Sequence, residues 1–532
     1  MALPAWEFST LSERHDMKAT ERLSGVRAML AVCLLVGWTA GCAQADGGAV
    51  AAVDTGPAMT EMQTAKFDTT DTVSQYGITW TFDRKVQVGR FVTGDWYVVG
   101  PVTVASVSPA PEGSGKEFRN GSMLNPPVTT AVAYDGRIKG FDQKSAVVFP
   151  LKLKPGDSLV SSISLDALQQ NQTFPNPDRR RTRETGPMRT YAVLTCLAEA
   201  APADAFRPAY CDRDRKRLRR AGDIQWDRLP SVKAVPAKNI PPWAKRYKME
   251  KSFTDKGVPT LAWIERMFER PWIDHVYGWH SRETHASEST PGYGRELGRG
   301  VSMAAMLLCC DFTREQKTPL CHRMIQVGID NWAIATQGKR GSAGGWPAAG
   351  GFGNGRKFPI VFAAVMLQDA EMLQVSKLAA EASFGEDEHT EFGKCWTGAT
   401  VRFTGQYPLI GDKQIDRGPY EHLTPDKWPG GNKTMSEGYR RCCTSICWVG
   451  QALAARMLKA EKVWDHDAFF VYVDRWMHED DEKFLEQINK AYPEWGGSIR
   501  QGSTVFDPWI DAMWAAYRPT LQPPPDGWKA KE

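Results

Sequence analysis

Two patterns of apolar and polar positions divide the chain. Between Ile78 and Leu165, Ile78, Trp80 and Phe82 alternate with Thr79 and Thr81, and Val102 and Val104 flank Thr103. Period two belongs to strands with one face buried. Thr93, Gly94 and Asp95, and later Pro155, Gly156 and Asp157, supply the turns between short strands. The pattern predicts a β-sandwich-like module over 65–170, a wall for whatever follows.

From Leu261 onward the period becomes helical. Leu297, Val301, Ala304 and Leu308 fall on one stripe, Met324, Gly328 and Trp332 on another, and Ile360 to Leu367 is apolar on nearly every side. Phe469, Val473 and Trp476, then Trp509, Met513 and Tyr517, carry the pattern to the C-terminus. Helices apolar all round must be covered by other helices. The expected fold class is therefore multidomain α and β: a β-sandwich-like module, then an (α/α) toroid helical domain over 243–520. Between them 171–242 reads as an irregular Pro- and Arg-rich excursion, broken by one strand-like piece from Tyr191 to Leu197.

The N-terminus has the layout of an export signal. Lys18, Arg22 and Arg27 precede an apolar stretch from Ala28 to Trp38, which runs into Thr39, Ala40, Gly41 and Cys42. The stretch is shorter than the roughly twenty residues a bilayer-spanning helix needs. The TAGC ending resembles the lipobox of bacterial lipoproteins, with Thr39 where a larger aliphatic residue is usual. That resemblance makes 1–42 a signal peptide and Cys42 the lipidated anchor; an ordinary soluble export signal is the alternative. Met17, followed by a lysine, is a more natural start than Met1. The small, polar, Gly-rich residues 43–64 read as a flexible tether. The expected location is exported, periplasmic or at the cell surface, held to a membrane by lipid alone.

Composition narrows the choices modestly. A net charge of +4 dictates no partner. The basic runs Arg179 to Arg183 and Arg213 to Arg220 lie among Pro, Asp and Asn residues, the setting of solvated loops, so no nucleic-acid partner is expected. Of eleven cysteines, Cys33 and Cys42 belong to the leader, which leaves nine, an odd number. Cys196 with Cys211 is a candidate bridge, and the helical cysteines read as small buried side chains. Twenty Trp, 14 Tyr and 22 Phe supply flat apolar faces on which sugar rings stack, although ordinary cores use the same residues.

Four stretches hold candidate chemistry. HSRETHASESTPGYGRELGRG places His280 and His285 before a helix starting near Tyr293 or Gly294, with Arg282, Arg295 and Arg299 nearby to suit an anionic ligand. The histidines are five apart, the wrong spacing for two ligands on one helical face, so they read as loop residues facing a cleft or as part of a helix-capping loop. GSAGGWPAAGGFGNGRKFP has seven glycines between Gly341 and Gly355. It lacks both the P-loop and the dinucleotide-fold spacing. It reads as a loop at a cavity mouth presenting Trp346 for stacking and Asn354, Arg356 and Lys357 for acidic groups. GEDEHTEFG gathers Glu386, Asp387, Glu388, His389 and Glu391 without calcium-loop spacing, so no metal is expected and His389 stands as a candidate acid, base or ligand contact. TMSEGYRRCCTSICWVGQALAARML pairs Thr434 with Glu437 as a capping box, placing Glu437, Tyr439 and Arg440 at a helix mouth above a buried stripe through Cys443 and Cys447.

The helical half, with GYGRELGRGVSMAAMLL and NGRKFPIVFAAVML, resembles the toroidal cores of polysaccharide lyases of the alginate- and glucuronan-lyase type. The resemblance spans Trp263 to Tyr517 and implies β-elimination on an acidic, uronic-acid-containing polysaccharide, without a cofactor. It implies His280 or His285 as base, Tyr293 or Tyr439 as acid, and Arg295, Asn354 and Arg356 around the substrate carboxylate. A glycoside hydrolase using two of Glu283, Glu386, Asp387 and Glu437, or a non-catalytic glycan-binding lipoprotein, are the alternatives.

Overall fold

The computed structural model describes residues 68–522, apart from position 130 and the segments 171–184, 212–216, 242–243, 246–249, 277–280, 339–344, 379–383, 406–417, 430–435, 480 and 494–506. The expected signal peptide, Cys42 and the expected tether lie outside the described residues. Strands fill the first part, and helices the later part.

A short antiparallel pair, Thr390–Phe392 with Val401–Phe403, lies among the helices, and the other strands are β1 (Asp68–Gln75), β2 (Ile78–Arg90), β3 (Trp96–Val99), β4 (Val102–Ser108), β5 (Ser122–Leu124), β6 (Leu151–Leu153), β7 (Ser158–Gln170) and β8 (Thr185–Leu197). They form one sheet in the order β5-β7-β8-β3-β2-β4-β6, with β1 also on β2. β2 pairs antiparallel with both β3 and β4, Val88 facing Val98 and Phe82 facing Val104, with a register shift between Thr81 and Phe82. All pairs are antiparallel except β3 with β8.

This corrects the two-sheet expectation. The sheet curls over its own core, where Ile78, Trp80, Phe82, Val98, Val104, Leu159 and Leu194 pack together. Its other face, with Val160, Met188, Tyr191 and Val193, joins the helices in a second core. Alternation shows that a strand face is buried; here helices rather than a second sheet do the burying. The strand-like piece in the excursion is the end of β8, which lies between β7 and β3 and therefore belongs to the sheet.

The longer helices are α1 (Gly294–Cys309), α2 (Arg314–Gln337), α3 (Lys357–Leu367), α4 (Val449–Met457), α5 (Asp467–His478), α6 (Asp481–Ala491) and α7 (Pro508–Tyr517). Every residue of α3 is buried, as its uniform apolarity requires. Lys317 is buried and donates from Nζ to the carbonyls of Leu308 (3.2 Å) and Cys310 (3.1 Å), a cation at the end of α1 where the helix dipole favours one. Thr313 and Gln316 form the capping box that starts α2. Buried Arg207 joins the two layers, reaching Asp95 ahead of β3 at 3.1 Å and Asp330 on α2 at 2.6 Å.

Candidate functional site

The site grows from the start of α1. Tyr293 is the residue before the helix, and its ring meets Phe352 edge to face at 4.8 Å. A side chain at Gly294 would collide with the Gly351 carbonyl at 2.1 Å, so the helix start lies directly on the backbone of the glycine-rich loop. The Gly351 N–H donates to the Tyr293 hydroxyl at 3.3 Å. On the neighbouring residue, Gly350 has φ +59°, and a Cβ there would come within 2.4 Å of the Tyr439 ring. Two tyrosines from distant parts of the chain thus converge on consecutive glycines. Tyr439 is half-buried, and its hydroxyl makes no hydrogen bond among the described residues.

Arg295 stands beside them, its guanidinium carbon 5.6 Å from the Tyr293 ring centre. It pairs with Glu296, donates to the Cys442 carbonyl at 3.3 Å and keeps 17% side-chain exposure. Arg299, one turn deeper, is buried between Glu296 and Asp507, each at 2.7 Å. The four charges balance, and Arg295 is the outermost cation.

Behind the loop sits a second assembly. Asp274 receives His285 Nε2 at 2.9 Å and Arg356 Nε at 3.1 Å, while His285 Nδ1 donates to the Pro291 carbonyl at 2.6 Å. Burial alone would raise the Asp274 carboxyl, but Arg356 and His285 outweigh it and hold it well below the usual carboxylate range. Arg356 also donates to the carbonyls of Phe352 (2.9 Å) and Asn354 (2.8 Å), so it shapes the loop from inside. His285 and Arg356, expected at the substrate, are structural here, since their polar atoms are engaged with protein.

Other expected contacts also turn inward. Asn354 donates to the Cys443 carbonyl at 2.8 Å and accepts from Trp448 Nε1 at 3.0 Å. Lys357 is buried against Asp387 and the Trp464 carbonyl. Trp346 is fully buried on Phe384, so it offers no stacking face. His389 is buried between the carbonyls of Gly405 (2.7 Å) and Gly350 (3.2 Å), and burial pulls its pKa down to about 4.

The acidic stretch is dispersed among separate partners: Glu386 accepts from Gly355 N, Asp387 from Lys357 and Trp464, Glu388 from Ala348 N, and Glu391 from Arg402. Among the described residues no three His, Cys, Asp or Glu side chains are placed to share a metal ion. Glu386 is completely buried, its second oxygen has no hydrogen-bond partner among the described residues, and burial pushes its pKa up to about 7.

The segment after Tyr439 is not one regular helix. A short α turn, Glu437–Tyr439, passes into a π-helical segment, Arg440–Thr444, and a 3-10 turn, Ser445–Cys447, before α4. Thr434 lies outside the described residues, and Glu437 has another use than capping. It accepts from Tyr420 Oη, from Arg441 Nε at 2.5 Å and from Arg440 Nη1 at 3.1 Å. Burial would raise it, but the two arginines bring its pKa down to about 2. Arg440 also donates to Tyr472 Oη at 2.8 Å, and Arg475 grips Glu421 through two bonds of 2.8 and 2.9 Å. Glu421, Glu437, Arg440, Arg441 and Arg475 line a narrow cavity with Trp396 and Trp428.

His280 and the side chain of Arg282 lie outside the described residues. Of the expected set, the structure brings together Tyr293, Arg295 and Tyr439 at one loop. Cys442 and Cys443 form a disulfide, whereas Cys196 and Cys211 are buried and not joined to each other by a disulfide, which corrects the expected bridge. Asp274 was missed; its signal was a lone acid within the apolar run Pro271 to Val276. Comparison with protein-family models, with characterised proteins and with solved structures returns no match to the chain.

Proposed function

We propose that this chain cleaves an acidic, uronic-acid-containing polysaccharide by β-elimination, in a cleft of an (α/α) toroid, and that it is exported and held to a membrane through lipid on Cys42. The observation that carries the reading is the meeting of two phenols and a part-exposed guanidinium at Gly350 and Gly351.

In β-elimination the C5 proton becomes acidic enough to remove only when the adjacent carboxylate is neutralised. Arg295 supplies that positive charge. An N–H bond to its oxygen and a cation beside its ring stabilise negative charge on Tyr293, so Tyr293 takes the C5 proton. Tyr439, whose hydroxyl makes no hydrogen bond among the described residues, protonates the departing O4 oxygen. A hydrolase would need two carboxylates at the bond, one of them protonated. Glu437 is ionised and held by two arginines, Asp387 is held by Lys357, and Glu386 is sealed in the core, which favours elimination.

The test is to incubate the purified chain from Ala43 onward with alginate, glucuronan and other acidic polysaccharides, following the ultraviolet absorbance of the unsaturated uronate end. A rise that falls at least about a hundredfold in Tyr439→Phe supports the reading. New reducing ends without absorbance would replace it with hydrolysis. Binding without either signal would make the chain a glycan-binding protein.

A further inference from the structure

Cys442 and Cys443 are neighbours in sequence, joined by a disulfide inside the π-helical segment that begins one residue after Tyr439. In a regular α-helix consecutive side chains diverge by about 100°, so two adjacent sulfurs do not face each other. The bond therefore belongs with a segment wound differently from α, and such π segments are frequent at functional sites.

The pair is also a joint between the three parts of the site. The Cys442 carbonyl accepts from Arg295 of α1 at 3.3 Å, and the Cys443 carbonyl accepts from Asn354 of the glycine-rich loop at 2.8 Å. A Cβ at Gly351 would lie 2.6 Å from that same Cys443 carbonyl. Any rewinding of this peptide shifts the acceptors of both Arg295 and Asn354, and Tyr439 is attached directly upstream.

We propose that Cys442–Cys443 is a redox modification site: the oxidised pair holds Tyr439, Arg295 and the glycine-rich loop in register, and reduction by a dithiol releases them. Cys442 is half-buried while Cys443 is buried, so Cys442 is the side of the bond nearer to solvent. A thiolate of the dithiol attacks Cys442 Sγ, breaking the S–S bond, and Cys443 leaves as thiolate and takes up a proton. The second thiol of the reductant then attacks the mixed disulfide, expelling Cys442 as thiolate, which is protonated, and leaving the reductant as its own disulfide. Two electrons and two protons move to the cysteine pair. Cys447, one turn further, does not compete: it is buried, its Sγ donates to the Thr444 carbonyl at 2.8 Å, and burial pushes its thiol well above the usual range.

The test needs no substrate, so it stands or falls separately from the lyase reading. The full mature chain, air-oxidised and then treated with dithiothreitol, is digested under thiol-blocking conditions and its peptides weighed. In parallel, amide hydrogen exchange is followed across 436–448 and 350–356. The expected result is one disulfide peptide, Cys442 with Cys443, and exchange in both segments that rises several-fold on reduction and returns on reoxidation while α2 and α3 stay unchanged. Cys442→Ser with Cys443→Ser should exchange like the reduced chain and ignore the dithiol. Free thiols at both positions in the oxidised chain, or exchange that is the same in both states, would overturn the proposal.

Discussion

Arg356 and Asp274 form a two-bonded buried ion pair, Nε to Oδ2 at 3.1 Å and Nη2 to Oδ1 at 3.3 Å, and this pair fastens the glycine-rich loop to the chain that carries His285. Both side chains are essentially sealed from water. Removing one partner leaves the other charge buried, a loss of about 3–5 kcal/mol. Asp274→Ala should therefore destabilise the protein by that amount in urea unfolding, whereas Asp274→Ala with Arg356→Met should recover at least half of it. A double variant as unstable as the sum of the singles would show that the pair is not the source.

Glu386 gives the fold a pH dependence of unusual sign. Its folded pKa of about 7 lies above the ordinary unfolded value, so between about 4.3 and 7 the folded state holds the proton more tightly and stability falls as pH rises. Above pH 7 the loss is complete, on the order of 3 kcal/mol. Glu386→Gln keeps an acceptor for the Gly355 N–H and removes the ionisation. The melting temperature of this variant should exceed that of the parent at pH 8, with the gap closing towards pH 4.5. A gap independent of pH would reject the assignment.

The elements legible in the sequence are those whose neighbours matter little. The α1 stripe through Leu297, Val301, Ala304 and Leu308 and the fully apolar α3 follow from period alone, and both are buried. The alternation in β2 and β4 located strands but was silent on what covers each face. β8 was only half visible, because its first part, Thr185 to Thr190, carries Gly, Pro and Arg. At the site, residue type found the arginines but not their partners. Glu296 meets Arg299 at the i,i+3 spacing of one helix, but Asp274 and Asp507 occupy Arg356 and Arg299 from sequence distances that no local pattern encodes.

Gly328 on α2 tests the packing of the two helices beneath the site. A Cβ there would stand 2.2 Å from the Pro359 carbonyl and 2.7 Å from Ala363 Cβ on α3. Alanine improves intrinsic helix propensity by about 1 kcal/mol, but overpacking a close helix contact costs about 1–3 kcal/mol. Backbone cannot yield as a flexible side chain does, so the cost falls at the upper end and Gly328→Ala should be destabilising overall, by up to about 2 kcal/mol in chemical denaturation. A stabilised variant would mean that α2 and α3 lie further apart than described.

Arg295 separates charge neutralisation from general polymer contact. Arg299, Arg356 and Lys357 are buried in ion pairs, whereas Arg295, though paired with Glu296, keeps 17% side-chain exposure beside the Tyr293 ring. Arg295→Gln keeps hydrogen-bonding capacity and removes the charge. If Arg295 neutralises a uronate, kcat/KM on the acidic polymer should fall by about 10²–10³, the scale of losing one preorganised charge partner in a transition state. Binding of the same polymer with its carboxyl groups reduced to alcohols should change less than about threefold, because no charge remains there to be matched. Equal losses on the charged and the reduced polymer would assign Arg295 to holding the Cys442 carbonyl and the loop in place, and the neutralising group would have to be sought elsewhere.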